Sequence, residues 1–368
     1  MSINNSTINT SFHPPDSSLS LLVTTALESS WDAERHTIFL GEWCKKFSRA
    51  DAWENQNNLT VSYHWESRDK LKLDHNYLES LYEETLEILY KYLNAHHGLS
   101  LPKVSWRIII GPWLYSFLPV IWDRWESISA LKENHMCGSN QRLVTKALRG
   151  SIEQLVPADF NQFREFLDAD WWNHLIFLEI IKFRSDLPIE ILDSNQDIVT
   201  NKDFNNDPRS SISILRKILY LGLDLVDDML SWLSSSNQRV VIFHSYFKRY
   251  FYLKLHYNMR IIPRWHGFLK STNSLNSIPK SRTNLTAIKI NTSSAFEIFL
   301  SKSILIHIPN CYLEGLSELI TVSRSLPNTK VIHTANAYIY NERFKVWSAF
   351  QVAHNAKLII SSHGSAFY

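Results

Sequence analysis

Alternating runs of apolar and polar residues divide the chain into short buried strands and long amphipathic helices. Residues 21–27 (Leu-Leu-Val-Thr-Thr-Ala-Leu) read as a buried strand that opens into the polar loop Glu28-Ser29-Ser30-Trp31-Asp32. A second strand is expected at 37–40, stopped by Gly41. From 68 to 97 the apolar positions Leu71, Tyr77, Leu78, Leu81, Tyr82, Leu86, Leu89 and Leu93 keep helical spacing, with Asp74 the exception. A further helix runs from 104 or 106 to 131, with an interruption expected at Gly111-Pro112. Its irregular Trp106, Trp113 and Trp122 do not form one simple stripe.

Pro157-Ala158-Asp159 opens another helix carrying Phe160, Phe163, Phe166, Leu167, Trp171 and Leu175. Asp207-Pro208 reads as a cap and first turn of a helix reaching about 234. The pattern then changes. A strand is expected at 239–244, a helix through Tyr250, Leu253 and Tyr257, and a Ser/Asn/Thr/Pro-rich linker over 270–293. A helical stretch over 294–325 leads into a β-α-β unit: strand 330–334, helix 341–354, strand 356–360. Strands alternating with helices define an α/β protein. A single β-α-β unit cannot bury its own sheet, so it must join preceding strands or continue into further ones.

Composition narrows the chemistry. Nine glycines in 368 residues are well below the usual ~7%, and neither G-x-G-x-x-G nor a P-loop occurs. Lys+Arg 38 against Asp+Glu 36 lacks the basic excess of a nucleic-acid binder. Cys44, Cys137 and Cys311 are scattered, which disfavours a zinc cluster or disulfide framework and fits a reducing, cytoplasmic compartment. The first 20 residues lack the basic and apolar regions of a signal peptide, and the apolar run 108–122 is too short to span a bilayer. Asp224-Leu225-Val226-Asp227-Asp228 lacks the spacing and the second acidic cluster of a magnesium motif.

Four places carry candidate chemistry. The Glu28–Asp32 loop follows a strand, where α/β sheets bind ligands, so its carboxylates are candidate bases; a solvated loop or helix cap is the competing reading. His64, amid Tyr63, Trp65 and Arg68, suits phosphate or proton transfer, against a helix-start network. Four tryptophans with Arg107, Asp123 and Arg124 in twenty residues suit either sugar stacking or an aromatic core. Ser362-His363-Gly364-Ser365 is a small-residue turn after a strand, able to present N–H groups to phosphate or simply to reverse the chain.

Several segments in order resemble a family of transferases encoded in bacterial surface-polysaccharide (O-antigen) gene clusters. They include Leu22–Glu28, Phe39–Cys44, Tyr63-His64-Trp65 with Arg68, and above all Trp106-Arg107-Ile108-Ile109-Ile110-Gly111-Pro112-Trp113-Leu114 with Asp123-Arg124-Trp125. Ile308-Pro309, Tyr312–Gly315, Thr334–Ala337, Phe344–Trp347, Ala356–Ile360 and His363-Gly364 continue the set.

The resemblance implies a GT-B-like glycosyltransferase: a Rossmann-like N-terminal domain with large helical insertions and the start of a second Rossmann-like domain. The expected division is a flexible tail over 1–19, the first domain over 20–325, and an incomplete donor-binding domain from 326 to 368. The implied reaction transfers a sugar from a nucleotide-sugar donor to a glycan acceptor in the cytoplasm, peripheral to the inner membrane, with no metal, other cofactor or nucleic acid. Glu28 or Asp32 would be the base. His64, Arg68, Arg107, Trp113, Asp123 and Arg124 would line the acceptor or phosphate site, and Asn336, His363, Gly364 and Ser365 the donor site. Family members continue past the His-Gly with a second glycine, where this chain has Ser365-Ala366-Phe367-Tyr368. That departure implies a truncated chain, and with it the alternative of an inactive glycan- or partner-binding module.

Overall fold

The computed structural model describes residues 19–32, 34–54, 58–133, 142–150, 155–198, 237–261, 282, 288, 290, 294–324, 326 and 328–361. The helix expected from Asp207-Pro208, the acidic 224–228 stretch, Cys137 and most of the 270–293 linker lie outside them.

The chain forms two compact units. The first comprises 1–68, 124–150 and 173–198, and the second 69–123, 151–172 and 199–368. The first unit holds a five-stranded sheet. Its strands are β1 (Leu19–Val23), β2 (Thr37–Phe39), β3 (Asn58–Thr60), β4 (Arg142–Arg149) and β5 (Ile189–Asp197), in the order β3-β2-β1-β4-β5. Every pairing is parallel. This is the Rossmann-like order, in which the strand sequence reverses between β1 and β4 and opens a crevice at their carboxyl ends. Leu21, Val23, Phe39, Cys44 and Val144 form its buried cluster.

Two long helices follow β3. Helix α1 (Arg68–His97) has the limits its apolar spacing predicts. It stops at Gly98, whose φ of 62° suits glycine, and Leu99 N donates back to Asn94 O at 2.9 Å, a Schellman closure. Helix α2 (Lys103–Glu133) runs unbroken through Pro112 and Pro119, so the expected interruption is absent. A proline inside a helix costs about 3 kcal/mol. Here Trp106, Ile109, Ile110, Trp113, Leu114, Phe117, Leu118 and Ile121 are all essentially buried, each worth about 1.5–3 kcal/mol. These positions form one broad helical face, so Trp106 and Trp113, two turns apart, do share a stripe; Trp122 lies off it, half-buried. By length and composition α2 could cross a bilayer, but 56% of its most apolar window is buried within the protein, as in a core helix.

The single helix expected after Pro157 is two, α3 (Phe160–Leu167) and α4 (Asp170–Phe183). Asp159 caps the first by accepting from Gln162 N at 2.9 Å.

The second unit carries its own parallel sheet, β6 (Asn237–Phe243), β7 (Asn328–Thr334) and β8 (Lys357–Ile360), in that order. The β-α-β unit thus pairs with β6. Helix α5 (Arg249–Met259) follows β6. The helical stretch 294–325 is three helices: α6 (Ala295–His307), begun by a Ser294–Glu297 capping box, α7 (Asn310–Leu313) and α8 (Leu316–Ser323). Pro309 and Gly315 separate them. A short α9 (Ala337–Tyr340) precedes α10 (Glu342–Ala353). Trp347 and Phe344 of α10 pack with Val241, Phe243 and Ile332 in a core cluster against this sheet.

The same helix carries a buried charge pair. Lys345 Nζ donates to Glu342 Oε1 at 2.7 Å and to Tyr312 Oη at 2.6 Å, and sits over the rings of Phe160 and Tyr312. Burial raises the Glu342 pKa, against the pull of Lys345.

Candidate active site at the carboxyl ends of the parallel strands

In the first unit the reversal point falls at Thr24-Thr25, just past β1. The backbone carbonyls there are already occupied. The Trp43 indole N–H donates to Thr24 O at 3.0 Å, the Trp31 indole N–H to Thr25 O at 3.1 Å, and Arg49 Nη2 to Ala26 O at 3.0 Å. Gly41 permits this, because a Cβ there would collide with the Trp43 ring. Lys146 on β4 ties the far side of the loop through Trp31 O at 2.8 Å.

Below the loop lies His174 of α4, 1% exposed, with Nδ1 3.4 Å from Thr24 Oγ1. Burial lowers its pKa to about 4, so the ring is neutral. Its Nε2 and the Thr25 hydroxyl are buried without a hydrogen bond.

The two candidate bases share this loop. Glu28 pairs with Arg49 at 2.8 Å, and Asp32 with Arg35 at 3.2 Å. His64 is buried against Tyr63 and Trp65, ring centroids 5.0 and 4.7 Å away. Arg68 is exposed at the start of α1. Arg124 donates to Asn173 Oδ1 at 3.0 Å and lies over Phe177.

The second unit holds the other predicted residues. Trp113 is fully buried and stacks on Phe117 at 5.0 Å, and Asp123 is buried. Arg107 forms a two-pronged ion pair with Glu83, at 2.5 and 2.7 Å. This pair holds the Glu83 carboxyl down to about 2. It borders a cavity of about 800 Å³ lined also by Glu79, Tyr82, Tyr115, Tyr338 and Ile360. Gly111 keeps α1 and α2 close, since a Cβ there would meet the Tyr82 hydroxyl at 2.9 Å. A cavity walled by tyrosine rings and carboxylates with one guanidinium offers apolar faces and acceptors for a hydroxyl-rich ligand.

Asn336 sits at the carboxyl end of the second sheet, in the turn after β7. His244 Nδ1 donates to its Oδ1 at 3.1 Å, and its Nδ2 donates to Tyr246 Oη at 2.5 Å. Ala335 N donates to His244 O at 2.9 Å, which locks the β6 and β7 turns together. His244 and Tyr246 both adopt left-handed backbone, with φ of 48° and 55°. For a non-glycine residue this costs on the order of 1 kcal/mol or more, and such residues gather at ligand sites.

Beside them His333 Nε2 lies 2.7 Å from Ser361 Oγ, and its ring stacks on Phe247 at 5.6 Å. Burial lowers the His333 pKa. His244, Tyr246 and Phe247 face solvent. His363, Gly364 and Ser365 lie outside the described residues.

The structure thus collects Glu28 and Asp32 on one loop and places Asn336 in a polar cluster, while Arg107 and Arg124 bind separate partners in different units. Sequence reading missed His174, His244, Tyr246 and His333. Only His244, at the end of the expected apolar strand, carried a positional signal.

Two parallel sheets with polar groups at their carboxyl ends define an α/β protein of Rossmann-like type. The model of the LIC12162 family transferases matches residues 20–368, and the chain belongs to that family. No curated protein and no solved structure matches it.

Proposed function

We propose that the chain is a glycosyltransferase of bacterial surface-polysaccharide assembly, and that it binds a nucleotide sugar at the carboxyl end of the second sheet. The observation that carries this reading is the exposed His244–Asn336–Tyr246 cluster, held by two strained left-handed residues. Family membership supports group transfer in general. The fold supports the location, because open parallel sheets take ligands at strand carboxyl ends. Tyr246 and Phe247 offer aromatic faces to a base or sugar, and His244 and Asn336 offer donors to a diphosphate or ribose.

In this reading the acceptor hydroxyl loses its proton to a carboxylate. The hydroxyl oxygen bonds to the anomeric carbon while the bond to the nucleoside diphosphate breaks. N–H and imidazole donors stabilise the charge on the departing phosphate. The Tyr82–Tyr115–Glu79 cavity is assigned to a sugar ring.

The test is calorimetric titration of the whole chain with UDP-, GDP-, CMP- and dTDP-sugars. Binding of at least one, weakened about tenfold by Asn336→Ala, supports the reading; no binding at millimolar concentration overturns it.

A further inference from the structure

A second cavity lies at the opposite, amino-terminal end of the same sheet. It has a volume of about 670 Å³ and opens beside the first residues of β7, Asn328, Thr329 and Lys330. Arg239, Arg324, Lys330 and His354 line it, with no carboxylate among the described residues that line it. Its apolar wall is Trp347, Leu326, Phe350 and Ile320.

The placement of two of these cations is unusual. The register pairs Gln238 with Thr329 and Val240 with Val331, so Arg239 stands level with Lys330 on the neighbouring strand. Strand alternation puts Arg239 on the same face as Val241 and Phe243, and Lys330 on the same face as Ile332. Val241, Phe243 and Ile332 are core residues packed against Trp347. Two positive charges therefore prolong a core-facing stripe at its open end, side by side. Neighbouring strands are about 4.8 Å apart, and like charges directly opposite one another destabilise a sheet.

Helix-end electrostatics account for part of the cluster. Arg324 caps α8, and a cation at a helix carboxyl end is stabilising, while His354 caps α10 with Nδ1 2.8 Å from Phe350 O. Arg239 and Lys330 are on strands and gain nothing from a helix dipole. The neighbouring polar groups are already used: Gln351 Oε1 accepts from Thr329 N, Gln351 Nε2 donates to Asn328 Oδ1, and Ser323 donates to Leu319 O. What stays available is positive charge in a cavity whose wall also carries an indole and a phenyl ring.

We propose that this cavity is a binding site for a phosphate-bearing molecule with an apolar or aromatic group, separate from the nucleotide-sugar site. The phosphate or pyrophosphate would sit between Arg239, Lys330 and Arg324, and the apolar group against Trp347 and Phe350. The same chemistry is found in a soluble phosphoester and in an anionic lipid headgroup.

Titration of the whole protein with inorganic pyrophosphate, and flotation with vesicles of phosphatidylglycerol and phosphatidylcholine, distinguish the two sources. The double variant Arg239→Ser/Lys330→Ser removes the strand cations at exposed positions, and a thermal melt checks that it folds. Arg239→Lys keeps the charge, and Asn336→Ala alters only the other end of the sheet. Pyrophosphate affinity falling at least tenfold in the double variant, but not in Arg239→Lys or Asn336→Ala, establishes a soluble phosphate ligand. The same pattern in vesicle binding establishes a lipid headgroup. If neither probe binds, or the folded double variant binds both as the parent does, the proposal is overturned. Loss of nucleotide-sugar binding alone leaves this outcome pattern intact, so the two assignments fail separately.

Discussion

The two sheets present opposite faces to their surroundings at the same topological position. At the carboxyl end of β1, two indole N–H groups and a guanidinium cap successive carbonyls, and both nearby acids are ion-paired to arginines. At the carboxyl end of β6 and β7, a histidine, an asparagine and a tyrosine bond to one another, the histidine and tyrosine exposed and the asparagine half-buried, on left-handed backbone at His244 and Tyr246. The first end is closed by its own side chains. The second is strained and open. Parallel-sheet topology marks both as places for ligands, but hydrogen-bond accounting separates them: one spends its side-chain donors on its own backbone, the other on a side-chain cluster at the surface.

If the second unit tolerates an open, strained edge, its stability must come from elsewhere, and the buried Lys345–Glu342 pair is the largest single target. Lys345→Met leaves Glu342 buried without its cation, and such losses cost about 3–5 kcal/mol. Chemical denaturation should show that drop, and a double change, Lys345→Met with Glu342→Leu, should recover most of it. An unchanged midpoint in the single variant would show that the pair does not anchor this unit.

The closed end carries a pH signature. His174 binds a proton in the unfolded chain below about pH 6.5 but in the folded protein only near 4. Between these values the unfolded state holds more protons, so stability rises with pH through this window and is lost as pH falls through it. The full span is worth about 3 kcal/mol. Comparing denaturation at pH 7 and pH 5 for the parent and His174→Gln should give a shallower pH slope in the variant; equal slopes would show that His174 is not held neutral by burial.

Opening the closed end is the next smaller effect. Trp43→Phe keeps the ring and removes the N–H that satisfies Thr24 O, which costs about 1–3 kcal/mol for an orphaned buried acceptor. A thermal melt measures it, and nucleotide-sugar affinity should stay at the parental value. Glu28→Gln is expected to cost the least stability, under about 1 kcal/mol, because the pair with Arg49 is about two-fifths exposed. Chemical denaturation measures it, and a larger loss would show that the pair holds the loop more tightly than its exposure implies.

The sequence revealed periodic elements best. Helix α1 was legible to the residue because its leucines repeat at helical spacing and a glycine ends it. Helix α2 was misjudged at Pro112, where local propensity argued for a break and eight buried side chains overrode it. Strands β3, β4 and β5 escaped notice. β3 has three residues, and β5 reads Ile-Glu-Ile-Leu-Asp-Ser-Asn-Gln-Asp, more polar than a buried parallel strand should be. Without β4 and β5 the reversal point beside β1 could not be located, although its loop could.

The candidate sites divide in the same way. Glu28 and Asp32 were visible as carboxylates after an apolar run. That Glu28 faces an arginine was not, because Arg49 is twenty-one positions further along the chain, whereas the partner of Asp32, Arg35, is only three residues on. Left-handed backbone at His244 and Tyr246 has no glycine to announce it, and the cluster with Asn336 joins residues about ninety positions apart.

The contrast between the two ends is tested most directly by calorimetric titration of nucleotide sugars into three proteins: the parent chain, Asn336→Ala and Trp43→Phe. The account predicts that at least one nucleotide sugar binds the parent below millimolar concentration, that Asn336→Ala weakens it about tenfold, equivalent to about 1.4 kcal/mol, and that Trp43→Phe leaves it unchanged. Binding that Trp43→Phe abolishes and Asn336→Ala leaves intact would contradict it.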